Sequence, residues 1–574
     1  MHTVETVLLV LMLGALTGIA ARYVRAIPLP LIQIALGALI AWPQDGLHIA
    51  FDPELFLLLF IPPLLFADGW RIPKREFFAL AKPILLLAFG LVFITVFGLG
   101  YLIHWMIPSI PLTVAFALAA VVSPTDAVAV SAISRNLGMP SKTMHLLEGE
   151  SLLNDASGLV ALKFAVAATL TAGSFSWENA AKDFTWMSVG GLGLGALMGW
   201  GFSRGRDMVT RRVGDVAATQ MVLLLILLPF ASYIMGEYIG VSGILSAVAA
   251  GIATNFADLD RCNFVSERLQ AGGAWSMVEA AFNGAIFLLL GLQLPSIIGE
   301  TLRGAAHRDV WLLLGYVAAI SCALLALRWA WLMLGVRSSL HKAHRQGRMV
   351  ERPSALLTLA TTVAGIRGAV TLAAALSIPT HLANGRVFPE RNLLIFLATG
   401  TILFTLVLGS IVLPLLLRRI PPVEDTQAQH EERLARTAAC QAAIASLALP
   451  EDQAQQHSAQ WLAQHQEVAG RITQEYRNRI QLLDESGVAN TPEAQSDSPE
   501  VVHERRLRYL REIELRLHCI QVERNTLYAE RQAHRINDEM LRAMVSELDM
   551  SEVSLRKRLA VARRAVGLPP LEGH

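Results

Sequence analysis

Apolar runs long enough to cross a lipid bilayer recur throughout the first 420 residues of this 574-residue chain. A helix rises about 1.5 Å per residue and the hydrocarbon core is about 30 Å thick, so about 20 apolar residues span it. Inside lipid every backbone N–H and C=O needs a partner from the chain itself, and an α-helix supplies them all within one segment. The pattern therefore dictates an all-α polytopic membrane protein. Spans are read at 5–23, 27–43, 53–69, 78–105, 111–134, 145–171, 184–203, 216–236, 241–256, 274–297, 309–335, 355–378 and 392–417, about thirteen in all. The first is read as a retained helix rather than a signal peptide, because Met1–Glu5 carries no Lys or Arg and no clear cleavage site follows.

Charge is distributed unevenly around these runs. Residues 1–420 hold 29 Lys+Arg and 23 Asp+Glu, whereas the shorter stretch 421–574 holds 19 and 24. The boundary predicts a transmembrane domain at 1–420 and a polar, helical cytoplasmic tail at 421–574, regulatory or dimer-stabilising. It excludes a single soluble domain, a disordered chain and a disulfide-stapled secreted scaffold. Cys262, Cys322, Cys440 and Cys519 fit no zinc or redox spacing. A formal net charge of +1 gives no footing for nucleic acid. No glycine-rich dinucleotide fingerprint occurs, no cofactor is implied, and no catalytic motif points to an enzyme.

Loop charges set the orientation. One set of loops carries nineteen basic residues, from Arg22 and Arg25 through Arg71, Lys74 and Arg75 to Arg348 and Arg352. The opposite set carries only Lys182, Arg303, Arg308, Arg386 and Arg391. The positive-inside rule makes the first set cytoplasmic, with the N-terminus outside and the tail inside.

Ionisable residues at membrane depth are costly and are functional candidates by default. Here they are Asp68, Asp126, Glu148, Glu150, Asp155 and Glu279, with Lys163, Arg328 and Arg367 as the basic ones. Arg328, placed near a span end, has the alternative of snorkelling to the interface. Two spans share a pattern. The fifth carries Ser123, Pro124, Thr125 and Asp126 at its middle, and the twelfth carries Gly365, Arg367 and Gly368. Pro removes a backbone donor and Gly weakens a helix. Two kinked packing helices would explain this. So would an inverted repeat, helices 1–6 and 8–13, whose crossed broken helices 5 and 12 hold an ion site at mid-membrane. In that arrangement Asp126 offsets positive helix ends and Arg367 negative ones.

Between them runs LLEGESLLNDASGLVALKF, residues 146–164, the most polar stretch of the membrane half. On a helix Glu150 stacks one turn from Asn154, and Ser151 one turn from Asp155. A desolvated carboxylate is stable with a proton or with a cation, and rarely bare and empty. That is the requirement for exchanging one against the other. Asp155, Ser151, Thr125 and carbonyls of the broken helix offer the oxygen ligands a hard cation such as sodium prefers.

The motifs SPTDAV (123–128), EGESLLNDA (148–156) and GIRGAV (365–370), in this order, resemble the monovalent cation/proton antiporters of the sodium/proton exchanger type, in their bacterial NhaP-like branch. The resemblance covers about residues 5–420. It implies that Asp155 binds the ion and the proton, with Asn154 as its partner. It further implies that Thr125 and Asp126 form the pair in the first broken helix, that Ser151 lies near the ion, and that Glu150 pairs with Arg367. It also implies electroneutral exchange by a homodimer whose core domain moves against a dimerisation domain. One departure concerns the third span. Where many relatives carry an acid, this sequence has Ala67, and Asp68 follows, turned by about 100° on a helix. Asp68 either lines the cation path or caps the cytoplasmic end. Glu279 resembles an acidic position associated with transport in animal relatives and is a secondary candidate.

In the tail, helices are expected at about 424–448, 451–485 and 501–548, with Pro421 and Pro422 ending the membrane half. Leu510, Ile513, Leu517, Ile520 and Leu527 follow 3- and 4-residue steps with Arg524 in the next seam position. This suits either a short coiled coil or an amphipathic helix packed within the tail. Arg556, Lys557, Arg558, Arg563 and Arg564 form a basic amphipathic end. The reading is a secondary antiporter exchanging sodium for protons across the cytoplasmic membrane, serving pH and sodium homeostasis. A potassium/proton antiporter of the same fold is the alternative, and a cation channel or membrane sensor fits less well.

Overall fold

A computed structural model describes residues 2–21, 23, 27–42, 53–134, 137, 139–170, 177–213, 218–258, 265–304, 309–346, 354–381, 387–420, 437–438, 440–447, 459–485, 499–532 and 538–565. Arg22, Arg25, Arg348, Arg352, Cys262, Pro421, Pro422 and most of the expected tail helix 424–448 lie outside these residues. Two compact units form, Met1–Val423 and Glu424–His574.

In the first unit a helix or helix pair occupies each of the thirteen expected places. Among the described residues, seven helices are long and apolar enough to cross a membrane, and three shorter apolar helices join them. The remaining places belong to Pro53–Arg71, Trp177–Val213 and the broken pair Ala355–Val363 and Ala369–Leu376. Among the described residues these three fall outside that count, so thirteen spans do not follow from hydropathy alone. Leu8, Met12, Leu16 and Ile19 stand exposed along one face of the first helix, as lipid contact requires. Trp42, Trp105 and Tyr238 are exposed at the C-terminal ends of their helices, and Trp186 and Trp311 are exposed toward the N-terminal ends of theirs, as an interfacial aromatic belt requires.

The spans form two groups, each more densely packed within than between. One holds Ala81–Met106, the two broken helices, Ser141–Leu170, Val310–Arg345 and Arg391–Leu417. The other holds His2–Ala20, Leu29–Ala41, Pro53–Arg71, Trp177–Val213, Ala218–Ile239, Gly243–Asp258 and Val265–Gly304. Spans 4–6 and 11–13, corresponding halves of the two expected repeats, thus share the first group. Without a strong hydrophobic force between helices in lipid, small residues let backbones meet closely. On Trp177–Val213, a Cβ at Gly195 would lie 2.0 Å from the Ser246 carbonyl oxygen, and one at Gly199 2.4 Å from that of Ala250. Buried hydroxyls satisfy themselves in place: Thr361, Thr362, Thr401 and Thr405 each donate to the carbonyl four residues earlier.

The second unit corrects the expected helix 501–548. Two helices stand there, Pro499–Gln532 and Asp538–Ala565, packed antiparallel. Leu510 and Ile513 are buried against Leu559 and Ala562, flanked by Leu517 and Leu555. The seam is therefore used within the tail, and the basic residues 556–564 ride on the partner helix. Arg524 closes the other end, donating to Asp549 at 2.7 Å and to Glu552.

Candidate cation site

The fifth span is helical over Leu112–Val122 and Ala127–Ser134 and extended between them. The twelfth is helical over Ala355–Val363 and Ala369–Leu376. The two breaks touch: the Asp126 amide donates to the Ile366 carbonyl at 2.8 Å. Each break exposes helix ends of both signs, and a charge meets each sign. Asp126 Oδ1 accepts from the amides of Val128 (2.8 Å) and Ala129 (3.1 Å), capping a positive end. Arg367 Nε donates to the Val122 carbonyl at 2.9 Å, and its Nη1 to that of Gly365, satisfying two negative ends. Only glycine fits at 368, where a Cβ would lie 1.9 Å from Asp126 Oδ2.

The polar helix Ser141–Leu170 is tied to the first break. Ser151 Oγ donates to the Thr125 carbonyl at 2.9 Å and accepts from the Ala127 amide at 3.2 Å. Asn154 Nδ2 donates to Thr125 Oγ1 at 2.8 Å. Its Oδ1 is buried without a partner among the described residues. Asp155, one turn beyond Ser151, is only 8% exposed and accepts no hydrogen bond among the described residues. Its exposed part faces a cavity of about 490 Å³ between the two helix groups.

Five acids line that cavity: Asp126, Glu148 and Asp155 from one group, Asp68 and Glu279 from the other. The one-residue shift in the third span is resolved by packing. Ala67 is fully buried beside Phe66 and Trp275, and Asp68 faces the cavity. Arg71, counted from the sequence as a loop charge, also lines the cavity and pairs with Glu279 at 2.5 Å. Glu148 Oε2 lies 3.3 Å from His145 Nδ1 and accepts from it when that nitrogen carries the hydrogen. Lys163 lies off the site, 3.4 Å from Glu237 with both side chains largely exposed.

The expected pairing of Glu150 with Arg367 is corrected. Glu150 takes both Arg328 Nη atoms, the second at 2.7 Å, and both side chains are 1% exposed. Arg328 Nε donates to the Thr361 carbonyl at 3.2 Å. Arg367 gives Nε and Nη1 to carbonyls of the broken helices, and Glu150 takes the other guanidinium. The sequence lets Arg328 snorkel from a span ending at 335, but within the helix Val310–Arg345 its side chain is 1% exposed and held by Glu150 and the Thr361 carbonyl, so it does not reach an interface.

No three His, Cys, Asp or Glu side chains form a metal cage among the described residues. The oxygens on offer are mixed: the Asp155 carboxylate, Asp126 Oδ2, Ser151 Oγ and the Thr125 carbonyl. Such a set suits a weakly held monovalent cation in transit better than a resident metal.

The description "Sodium/hydrogen exchanger, transmembrane" matches residues 8–419. The chain belongs to that family. It is 42% identical over 556 residues to the sequence described as the uncharacterized Na(+)/H(+) exchanger YjcE of Escherichia coli K12, covering 96% of this chain and 98% of that one. It is 46% identical over 433 residues to a "Sodium, potassium, lithium and rubidium/H(+) antiporter" of Bacillus pumilus, covering 74% of this chain and 64% of that one. The sodium proton antiporter MjNhaP1 of Methanocaldococcus jannaschii, solved at pH 8, shares the fold at a TM-score of 0.53 and 18% identity, over 73% of this chain and 99% of the other. This family membership makes the chain a multi-pass membrane transporter of the sodium/hydrogen exchanger kind.

Proposed function

We propose that Asp155 is the group that carries the cation and the proton in turn, with Thr125, Ser151 and Asp126 supplying further oxygens. One observation supports this above the rest: a carboxylate 8% exposed, without a hydrogen-bond partner among the described residues, at the wall of an acid-lined cavity. A desolvated charge without a partner demands either a proton or a cation. Asn154 is a neutral amide that donates to Thr125, and the family resemblance implies one cation exchanged for one proton. Exchange is then electroneutral. It proceeds by alternating access as the group of helices bearing Asp155 moves against the group bearing Asp68. Residues Arg71 to Pro73, which line the cavity, follow a span end that the loop charges assign to the cytoplasm, so this form is open inward.

The same rule puts the N-terminus outside and the tail in the cytoplasm, the chain acting as a homodimer in the inner membrane to regulate pH and sodium. Sodium is the first choice of cargo. The cation set in the name of the Bacillus pumilus relative supports potassium, lithium and rubidium as further cargo. Everted vesicles with a pH-sensitive dye test the site. Sodium should dissipate an imposed proton gradient with saturation, and Asp155→Asn should abolish this in a protein inserted at normal levels. Robust exchange by that variant would remove Asp155 from the role.

A further inference from the structure

Among the described residues, Arg71 is the only basic side chain lining the cavity, against five acids. A guanidinium in a cation's path repels the cargo and competes with it for carboxylates. Arg71 has two such partners in reach. Asp68 lies three residues earlier on the same helix, the spacing that puts two side chains on one face. Glu279 lies on Val265–Gly304 and holds Arg71 Nη1 at 2.5 Å, while Ser276 Oγ accepts from Nη2 at 3.4 Å. Asp68 consequently makes no hydrogen bond among the described residues. We propose that Glu279 is a positioning residue for transport, holding Arg71 off Asp68 and out of the cation's path.

The pair is suited to this and poorly suited to bracing the fold. Its side chains are 42% and 21% exposed, and ion pairs so wet contribute little to stability. Without Glu279, Asp68 is the neighbouring acid on the face of Arg71's own helix, and a guanidinium pairs with a carboxylate through a two-pronged fork. The protein's own cation would then occupy an acid that faces the cargo. Ser276 offers only a hydroxyl and does not neutralise the charge.

The inference rests on the reading that this cavity leads the cation to Asp155. The test is sodium-dependent proton exchange in proteoliposomes, with KM and kcat measured separately. Glu279→Gln should raise KM about tenfold, the effect of one uncompensated charge across a partly wet cavity, with kcat little changed. Adding Arg71→Gln should return KM to within about twofold of the starting protein, since the intruding charge is gone. A merely structural role for Glu279 gives no such rescue. An unchanged KM in Glu279→Gln, or a double variant as impaired as the single one, overturns the proposal. Should Glu279→Gln not insert, the exchanged pair Arg71→Glu with Glu279→Arg decides: a KM near the starting value supports the proposal and a raised one overturns it. Exchange that depends on Asp155 but ignores these substitutions sinks this inference alone. Exchange that survives Asp155→Asn sinks the reading beneath it.

Discussion

Arg328 and Arg367 are buried in the same helix group, yet their guanidiniums do different work. Arg367 donates to backbone carbonyls at the two breaks and, among the described residues, to no carboxylate. Arg328 serves Glu150 and one carbonyl, joining Ser141–Leu170 to Val310–Arg345 and the second broken helix. Removing one partner of a buried ion pair leaves the other charge uncompensated, typically at about 3–5 kcal/mol. Arg328→Ala should therefore lower the stability of the detergent-solubilised protein by that order. A double-mutant cycle with Glu150→Ala should show strong coupling, and a cycle between Glu150 and Arg367 a much weaker one. Equal coupling in the two cycles would contradict the assignment.

At the scale of elements, close backbone approach and charge capping govern what can change. Gly195 lies against the Ser246 carbonyl with no room for a side chain. Overpacking a tight contact typically costs about 1–3 kcal/mol. Gly195→Leu should thus reduce thermal stability by at least that order, whereas Gly193→Leu, with open space around it, should be nearly neutral. A thermal melt of both variants checks the contrast. In the tail, a hydrogen bond from Arg524, aided by one from Arg556, holds the Glu552 carboxyl below its ordinary value of 4.5. A depressed carboxyl adds stability that is complete above its unfolded pKa and is lost as pH falls through the folded one. Hydrogen exchange, corrected for intrinsic rates, should show the helix pair losing protection below pH 4.5. Glu552→Gln should flatten that dependence.

At the scale of the whole molecule, the membrane unit carries its own core and its own charged centre. The acids that line the cavity all lie between Asp68 and Glu279. Truncation after about residue 425 should leave exchange intact, with altered pH dependence or dimer stability as the expected cost. Liposomes clamped at several membrane potentials provide the measurement. Loss of transport by a correctly inserted truncation would make the tail part of the transport machinery. A reversal point that shifts with potential would exclude electroneutral exchange.

The all-helical membrane architecture, the two broken helices and the polar helix between them were legible in the sequence. Each rests on a local cause: apolar length, a Pro or Gly at mid-span, and charges where lipid tolerates few. Asp155, Asn154, Ser151, Thr125 and Asp126 were singled out on the same grounds and by family resemblance. Contact between residues far apart in the chain has no local cause. Which arginine Glu150 takes depends on what else competes for each guanidinium across helices nearly 180 residues distant. Whether Asp68 or its neighbour faces the cavity depends on the rotation of the third helix against Trp275. That Arg71 belongs to the site rather than to the loop beyond it depends on Glu279 lying opposite. The tail seam could serve another chain or its own neighbour, because its periodicity fixes a face and not a partner. The sequence alone determined which groups are too costly to be there without a reason, and the tertiary structure decided which of them meet.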